Sequence, residues 1–434
     1  MLRIGIIGAG PTGLTAGYEL SKLGCDITIF ESDSKCGGLV SSVKVGNQNL
    51  EAFYHHIFNS DVDLIDLINE LGLEKKLLWL NPSSGLYINN KVYPFTSPVD
   101  LLKFQELSFF ERISMGLLLY KAKFIKNWSS LEDITAKEWI IKNSGENVYE
   151  KVWGPLLASK FDVDFEKISA VWIWNKFKLR GSTRSKGISK EMLGYLKGSF
   201  AVLYEALLQN ILDRKGKILF EHKVENIKPN EDGTVDIYSN GKAFKFDKVL
   251  VTTAPNLFKK MQIPFNKEYY EKVDKIKYKA NICMILELKE KVSPYYWTTV
   301  AQKGYPFVLV VEHTNFMPKE EYGVNIVYLS RYLDASSSLY KESDEKIEKI
   351  FIKFLEKMFP SWDKSNIINI HLNRVEYSQP IVYKNYSNIR LDYITPIKNI
   401  YIANMSHIYP EDRGQNYAVK LGRDISKIII KKLI

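Results

Sequence analysis

The stretch RIGIIGAGPTGLTAGYELSKLGCDITIFE, residues 3–31, decides the fold. Ile4, Ile6 and Ile7 form a short apolar strand, and Gly8, Gly10 and Gly13 follow as G-x-G-x-x-G. From Leu14 to Leu23 the apolar spacing is helical, Gly24 ends the helix, and CDITIFE is a second apolar strand closing on Glu31. Strand, glycines, helix, strand and acid stand in the order of a dinucleotide-binding βαβ unit. Gly8 makes the tight turn, Gly10 lets the backbone approach a pyrophosphate, and Gly13 lets the helix pack close to the strand. The positive end of the helix dipole, where Pro11 and Thr12 lie, faces the phosphates. Glu31 stands 18 residues after Gly13, where a carboxylate accepts both ribose hydroxyls, and Ser32 adjoins it. A carboxylate there disfavours a 2′-phosphate and so argues against NADP.

Gly37-Gly38 follows shortly after Glu31. With that pair the chain resembles the large family of FAD-dependent amine oxidases, protoporphyrinogen oxidases and carotenoid desaturases. The family's fingerprint is G-x-G-x-x-G, an acid at the second strand, and a Gly-Gly pair against the flavin diphosphate. The family usually carries arginine after Gly-Gly, whereas this chain has Leu39. The resemblance implies FAD as cofactor. It also implies an α/β fold: a Rossmann-type FAD-binding domain, glutathione-reductase-like and of the amine oxidase type, with an inserted α+β substrate domain.

Such flavoproteins assemble the FAD domain from separated segments, and later stretches fit. LLQNILDRKGKILFEHKVENI is a helix, a turn at Gly216, a strand, and then a segment whose Val224 matches the family's adenine-contacting valine. FDKVLVTTAP, 246–255, reads as a buried return strand. Near the C-terminus IYIAN is a strand, and NYAVKLGRDISKIII is helical through Ala418, Leu421, Ile425 and Ile428. The family aims the start of this helix at the flavin ring, so Gly414, Gln415 and Asn416 are expected there. Asn404-Met405 replaces the usual Gly-Asp, and an amide can still bond a ribityl or phosphate oxygen. Arg413 is expected either to neutralise a phosphate or substrate anion, or to pair with Glu411 or Asp412 on the surface. The implied boundaries are 1–60, 196–265 and 386–434 for the FAD domain, and 61–195 with 266–385 for the substrate domain.

EAFYHHIF, residues 51–58, carries two of the chain's six histidines. It reads as a strand or extended segment, whose successive side chains face opposite ways. His55 and His56 then cannot easily share a metal, and no ligand-spaced partner lies near in sequence, so no metal is expected. The segment also resembles part of the UDP-galactopyranose mutases, FAD proteins of related fold with a Gly-Pro-His-Ile-Phe-His run beside the flavin. His56, Ile57 and Phe58 match, and Asn59 stands for the second histidine. The resemblance puts His56 toward flavin or substrate, as a hydrogen-bond donor or an acid or base, and His55 on the other side. The alternative is a core histidine satisfied by backbone.

Residues 61–200 read as mostly helical, over 61–72, 98–126, 133–143 and VYEKVWGPLLASKFDV. The aromatic-rich 98–126 stretch, with lysines at its end, is either a buried face or a membrane contact. AVWIWNKFKLRGSTRSKG sets Trp172, Trp174 and Phe177 among Lys176, Lys178, Arg180, Arg184 and Lys186. Aromatics beside cations suit an anionic substrate, and Arg180 is the candidate catalytic cation among them. LGYLKGSFAVLYEAL resembles the family's glycine-bearing entry into a helix beside the substrate cavity. Residues 270–385 alternate as strands of an antiparallel sheet under the pocket, with VEYSQPIVY and its Tyr377 and Tyr383 returning to the flavin.

Composition sets the outer bounds. The 434 residues are too many for one simple core. The net charge of +10 suits a phosphorylated substrate or an anionic surface, but the lysines are dispersed, with no arginine-rich arm, so no nucleic-acid partner is expected. Three scattered cysteines and no signal-like N-terminus point to a reducing, cytoplasmic setting, with peripheral contact at the inner face of the membrane left open. Oligomeric state is not legible. The expected function is an FAD-dependent oxidoreductase taking hydride from a small organic substrate, anionic or hydrophobic. The alternatives are a non-redox flavin-dependent sugar-nucleotide isomerase and a catalytically idle flavin-binding protein.

Overall fold

The computed structural model describes residues 1–182 and 192–431. The opening stretch folds as β1 (Arg3–Ile7), α1 (Pro11–Lys22) and β2 (Asp26–Phe30). Three later strands join them: β3 (Lys217–Leu219), β4 (Lys248–Val251) and β5 (Ile400–Ile402). All five lie parallel, in the order β3-β2-β1-β4-β5. The strands read as near-continuous apolar runs because both faces are covered. Ile4, Ile6, Ile27, Ile29 and Leu250 pack under α1, α2 (Ala201–Asp213) and α3 (Gln415–Lys431). Ile7, Phe30, Val249 and Val251 point the opposite way, into a core shared with the antiparallel meander Val224–Pro229, Val235–Ser239 and Lys242–Phe246. One-residue alternation along each strand thus sorts side chains between two layers.

The second sheet has seven strands. Ile367–Pro380, Tyr278–Leu288, Asn325–Leu333, Leu309–Glu312 and Trp297–Val300 come from the later half, and Ser84–Ile88 and Lys91–Pro94 from the earlier. The sheet expected over 270–385 is therefore completed from before residue 95, through a parallel pairing of Trp297–Val300 with Ser84–Ile88. Helix Asp344–Met358 covers one face through Ile347, Phe351 and Leu355.

The helical layer differs from the expected single run over 98–126. It is two helices, Pro98–Lys103 and Phe109–Ala122, and the sequence shows why. Ser97 with Asp100, and Ser108 with Glu111, each form a reciprocal capping box that starts a new helix. Further on, a π-helical turn at Tyr149–Trp153 interrupts the path from Glu146 to Phe161. Trp139, Trp153, Trp174 and Phe177 fill the core of this layer.

Candidate functional site: a dinucleotide cradle and the cleft beside it

The C-terminal ends of the parallel strands converge on one edge, where ligands bind in open α/β sheets. Gly8 follows β1 with φ +103°, a left-handed conformation that suits glycine. A β-carbon on Gly13 would lie 2.0 Å from the Gly8 carbonyl, so only glycine lets α1 start this close to β1. At Gly10 a β-carbon would meet nothing within 4 Å. Gly38 comes up beside it, its β-carbon position 3.5 Å from the Gly10 α-carbon, and the Gly37 N–H bonds the Ala9 carbonyl at 2.9 Å. Gly10 is the N-cap of α1 and supplies no side-chain acceptor, which leaves the first N–H groups of the helix to a ligand. Thr12 is buried in the first turn behind Pro11, and Leu39 continues a short 3-10 turn from Gly38.

Glu31 directly follows β2, its carboxylate accepting from the Ala9 N–H at 2.8 Å, the Asp33 N–H at 2.9 Å and the Ser32 hydroxyl at 3.2 Å. The His222 N–H bonds the Glu31 carbonyl at 2.8 Å, which brings the segment entering Val224 alongside. Gly8, Gly10, Glu31, Gly37, Gly38 and Val224 therefore gather on one edge. At its far side lie Asn404, just beyond β5, and Gln415, the first residue of α3. Asn404 accepts from Ser406 and Gln415 from Tyr204, but the Asn404 Nδ2, the Gln415 Nε2 and the Thr253 Oγ1 are buried with no partner. Stranded polar groups of this kind cost about 1–3 kcal/mol each unless a ligand meets them. Asn416 is spent otherwise, since its Oδ1 accepts from the Leu64 N–H at 3.0 Å and docks helix Val62–Glu70 on α3.

The open glycine cradle, the Glu31 carboxylate and the orphaned amides fit an adenine dinucleotide laid across this edge. Residues 11–412 match the family of flavin containing amine oxidoreductases. The chain belongs to that family. Its cofactor is FAD. A coproporphyrinogen III oxidase of Staphylococcus aureus is 24% identical over 286 residues, 59% of this chain and 61% of that protein. The chain thus spans less than two thirds of that relative's length. A mitochondrial protoporphyrinogen oxidase of Nicotiana tabacum is 23% identical across 84% of this chain and 74% of its own. A cyclohexylamine oxidase structure from Brevibacterium oxydans superimposes with a TM-score of 0.73 at 14% identity, covering 100% of this chain and 99% of that one.

Beside the cradle runs the 51–58 segment, a link between strands Gln48–Glu51 and Ile57–Phe58. Tyr54 and His56 both meet Trp297 edge-on, at 5.2 and 5.5 Å, and so share a face. His56 Nδ1 lies 3.2 Å from the Tyr296 hydroxyl, and Phe58 packs on its ring at 4.9 Å. His55 turns away and donates from Nδ1 to the Phe53 carbonyl at 2.6 Å. Burial, with Arg413 nearby, pushes its imidazole down to about 4, so it stays neutral in the physiological range.

Arg413 is not the surface ion-pair residue that one reading made it. Its Nε donates to Gln379 at 2.9 Å and its Nη2 to the Tyr332 hydroxyl at 2.7 Å, while the Tyr332 and Tyr54 hydroxyls stand 3.2 Å apart. From the strand expected to return to the flavin, the residue that arrives is Gln379. Tyr383 bonds Asp164 instead, and Tyr377 packs on Tyr278. In the 170–187 stretch, Trp172 and Lys176 face inward to Asp412, Trp174 bonds the Ala122 carbonyl, and Lys178 covers the Trp174 ring. The Arg180 side chain, Arg184 and Lys186 lie outside the described residues. Sequence reasoning missed Lys160, Gln379 and Tyr332. It also missed Gly422, where a β-carbon would stand 2.7 Å from Thr15 Cβ, so glycine lets α3 press against α1.

Proposed function

We propose that this FAD-dependent oxidoreductase oxidises a largely apolar organic substrate held against the aromatic face of Tyr54, His56 and Trp297, which the buried Tyr296 backs. FAD seated on the glycine cradle supplies a hydride acceptor at its flavin ring. The cradle residues fix the cofactor: Gly8, Gly10, Gly37 and Gly38 by backbone approach, Gly13 by seating α1 against β1, Glu31 at the ribose, Asn404 and Gln415 through their stranded amides. His56 and Tyr54 orient the substrate, and His56 is positioned to exchange a proton with it. The observation that carries this reading is an aromatic face built from two distant segments, 54–58 and 296–297, on a segment tied to the Gly37-Gly38 turn by the Ala52 N–H to Ser41 carbonyl bond at 2.9 Å. Anaerobic mixing of flavin-loaded protein with coproporphyrinogen III, protoporphyrinogen IX, phytoene and cyclohexylamine tests it. Bleaching of the flavin by one of them supports the reading. Interconversion of UDP-galactopyranose and UDP-galactofuranose by the reduced protein, with no substrate bleaching the flavin, replaces it with the isomerase.

A second observation supports contact with a membrane surface. Helix Phe109–Ala122 buries Met115, Leu118 and Ala122, yet Phe110, Ile113, Leu117, Tyr120 and Phe124 form another stripe at helical spacing that faces solvent, Phe110 being 81% exposed. Lys103, Lys121, Lys123 and Lys126 are exposed around it. An apolar stripe rimmed by cations fits an anionic lipid surface. No helix among the described residues is long and apolar enough to cross a membrane, so the contact is peripheral in this reading. Sedimentation with phosphatidylglycerol vesicles, lost in F110S/L117S with flavin content unchanged, supports it. Wild-type protein that stays in the supernatant with these vesicles overturns it.

A further inference from the structure

Asp412 is the centre of a charged cluster drawn from distant parts of the chain. Its Oδ1 accepts from the Trp172 indole and the Gln379 amide, each at 3.0 Å, and its Oδ2 accepts from Lys176. Both oxygens are thus engaged, and the Lys160 ammonium stands off at 3.9 Å. Lys160 makes no hydrogen bond among the described residues. It lies instead over the rings of Trp172, at 4.9 Å, and Tyr332, at 5.2 Å. Tyr332 in turn holds Arg413 and reaches Tyr54, so the cluster is joined directly to the aromatic face.

Lys160, Lys176 and Arg413 therefore share one carboxylate. Positioning Asp412 needs only Lys176 and the two neutral donors. Lys160 and Arg413 are surplus charge, and surplus charge inside a protein is costly unless a counter-ion meets it. The Lys160 and Lys176 side chains keep 21% and 35% of their surface accessible although protein surrounds Lys160 deeply.

We propose that Lys160, Lys176 and Arg413 form an anion subsite of the substrate cleft, which holds a carboxylate or phosphate group of an otherwise apolar substrate. The inference deepens the oxidoreductase reading and rests on that cleft being the substrate's. A cationic amine is repelled there, and a plain hydrocarbon leaves the surplus cations unmet. A porphyrinogen carries both the apolar body and the carboxylates.

The geometry also predicts a pH dependence. Asp412, Lys176, Arg413 and Tyr332 face Lys160, with Tyr54 and the neutral His55 beyond them. Burial, opposed by Asp412 and reinforced by Lys176 and Arg413, lowers the Lys160 amine to about 7. An arriving anion favours its protonated form, so binding takes up a proton and affinity rises as pH falls toward about 7.

The test is titration of FAD-loaded protein with coproporphyrin III, its tetramethyl ester and inorganic pyrophosphate, read by tryptophan fluorescence and flavin absorbance. The tetra-acid or pyrophosphate is expected to bind, and which one does separates a carboxylate from a phosphate source. The ester is expected to bind at least roughly tenfold more weakly than the acid. K160M and K176M should each weaken anion binding by a similar factor while flavin content holds, and K160R should restore it. Equal binding of acid and ester, no binding of either anion at millimolar concentration, or anion binding unchanged in K160M and K176M overturns the subsite. Flavin bleaching by substrate is scored separately in the same preparation, so loss of the subsite leaves the oxidoreductase reading to its own test.

Discussion

Glu51 accepts a hydrogen bond from the Tyr195 hydroxyl at 2.7 Å, across a sequence separation of 144 residues. The same carboxylate accepts from the Phe200 N–H at 2.6 Å, just ahead of α2, and the Tyr328 hydroxyl bonds the Glu51 carbonyl at 2.8 Å. One residue thus joins the strand before the histidines, the entry to α2 and the large sheet. Glu51→Ala removes the acceptor and strands two buried donors, so we expect a loss of about 2–4 kcal/mol in chemical denaturation. An unchanged denaturation midpoint would show that water replaces the carboxylate there.

Glu312 gives the pH counterpart. It is fully buried, and its carboxylate accepts from the Val292 N–H at 3.0 Å and the Ser293 N–H at 2.7 Å. Burial nonetheless outweighs those bonds and raises its pKa to about 7; Glu51 is raised in the same direction by burial. A carboxyl with a raised folded pKa binds its proton more tightly folded than unfolded. Its contribution to stability is therefore greatest near its ordinary acid range and is lost as pH rises through about 7. Stability measured by urea unfolding should fall between pH 5 and pH 8 by on the order of a few kcal/mol, and Glu312→Gln should flatten that slope. A steeper slope in the variant would contradict the assignment.

What was legible in the sequence is what local spacing encodes. β1, α1, β2 and Glu31 lie within one short stretch, so periodicity and glycine placement were enough to read them. The return of β4, β5 and α3 was legible through family resemblance, because each is an apolar strand or an amphipathic helix on its own. The cleft was not. Lys160 looks like any lysine ending a helix, and only the fold carries it to Asp412, some 250 positions away. Trp297, Gln379 and Tyr332 are strand residues whose facing depends on register across the large sheet, which one sequence does not fix. Gly422 did leave a signal, since a glycine inside a strongly amphipathic helix costs about 1 kcal/mol and asks for a packing reason.

Gly10 and Gly422 should separate cofactor binding from folding. Gly10 has φ −77°, open to any residue, and a β-carbon there meets nothing within 4 Å. Gly10→Val should therefore fold with the stability of flavin-free wild type while losing FAD, because its methyls occupy the pyrophosphate's path. Gly422→Val sets its β-carbon 2.7 Å from Thr15 and 2.8 Å from the Thr12 carbonyl. It should push α3 from α1, lower stability by about 1–3 kcal/mol and loosen FAD as a consequence. Flavin stoichiometry beside thermal unfolding of both apoproteins distinguishes them. Equal destabilisation by the two substitutions would remove Gly10 from the cofactor site.

His56 provides the test of chemistry. It shares the face of Tyr54 and Trp297, and its Nδ1 lies 3.2 Å from the Tyr296 hydroxyl. His55, one residue away, is tied to the backbone and held neutral. If His56 positions substrate or moves its proton, His56→Ala lowers kcat/KM for the bleaching substrate by on the order of 100-fold, the lower end for one acid–base group. Flavin content should stay at wild-type level, and His55→Ala should cost far less turnover. His56→Gln keeps a hydrogen-bond donor without an ionisable ring. Recovery of most activity in His56→Gln assigns positioning, whereas a loss equal to that of His56→Ala assigns proton transfer. Loss of flavin from His56→Ala, or turnover unchanged in it, returns His56 to the aromatic core as a packing residue.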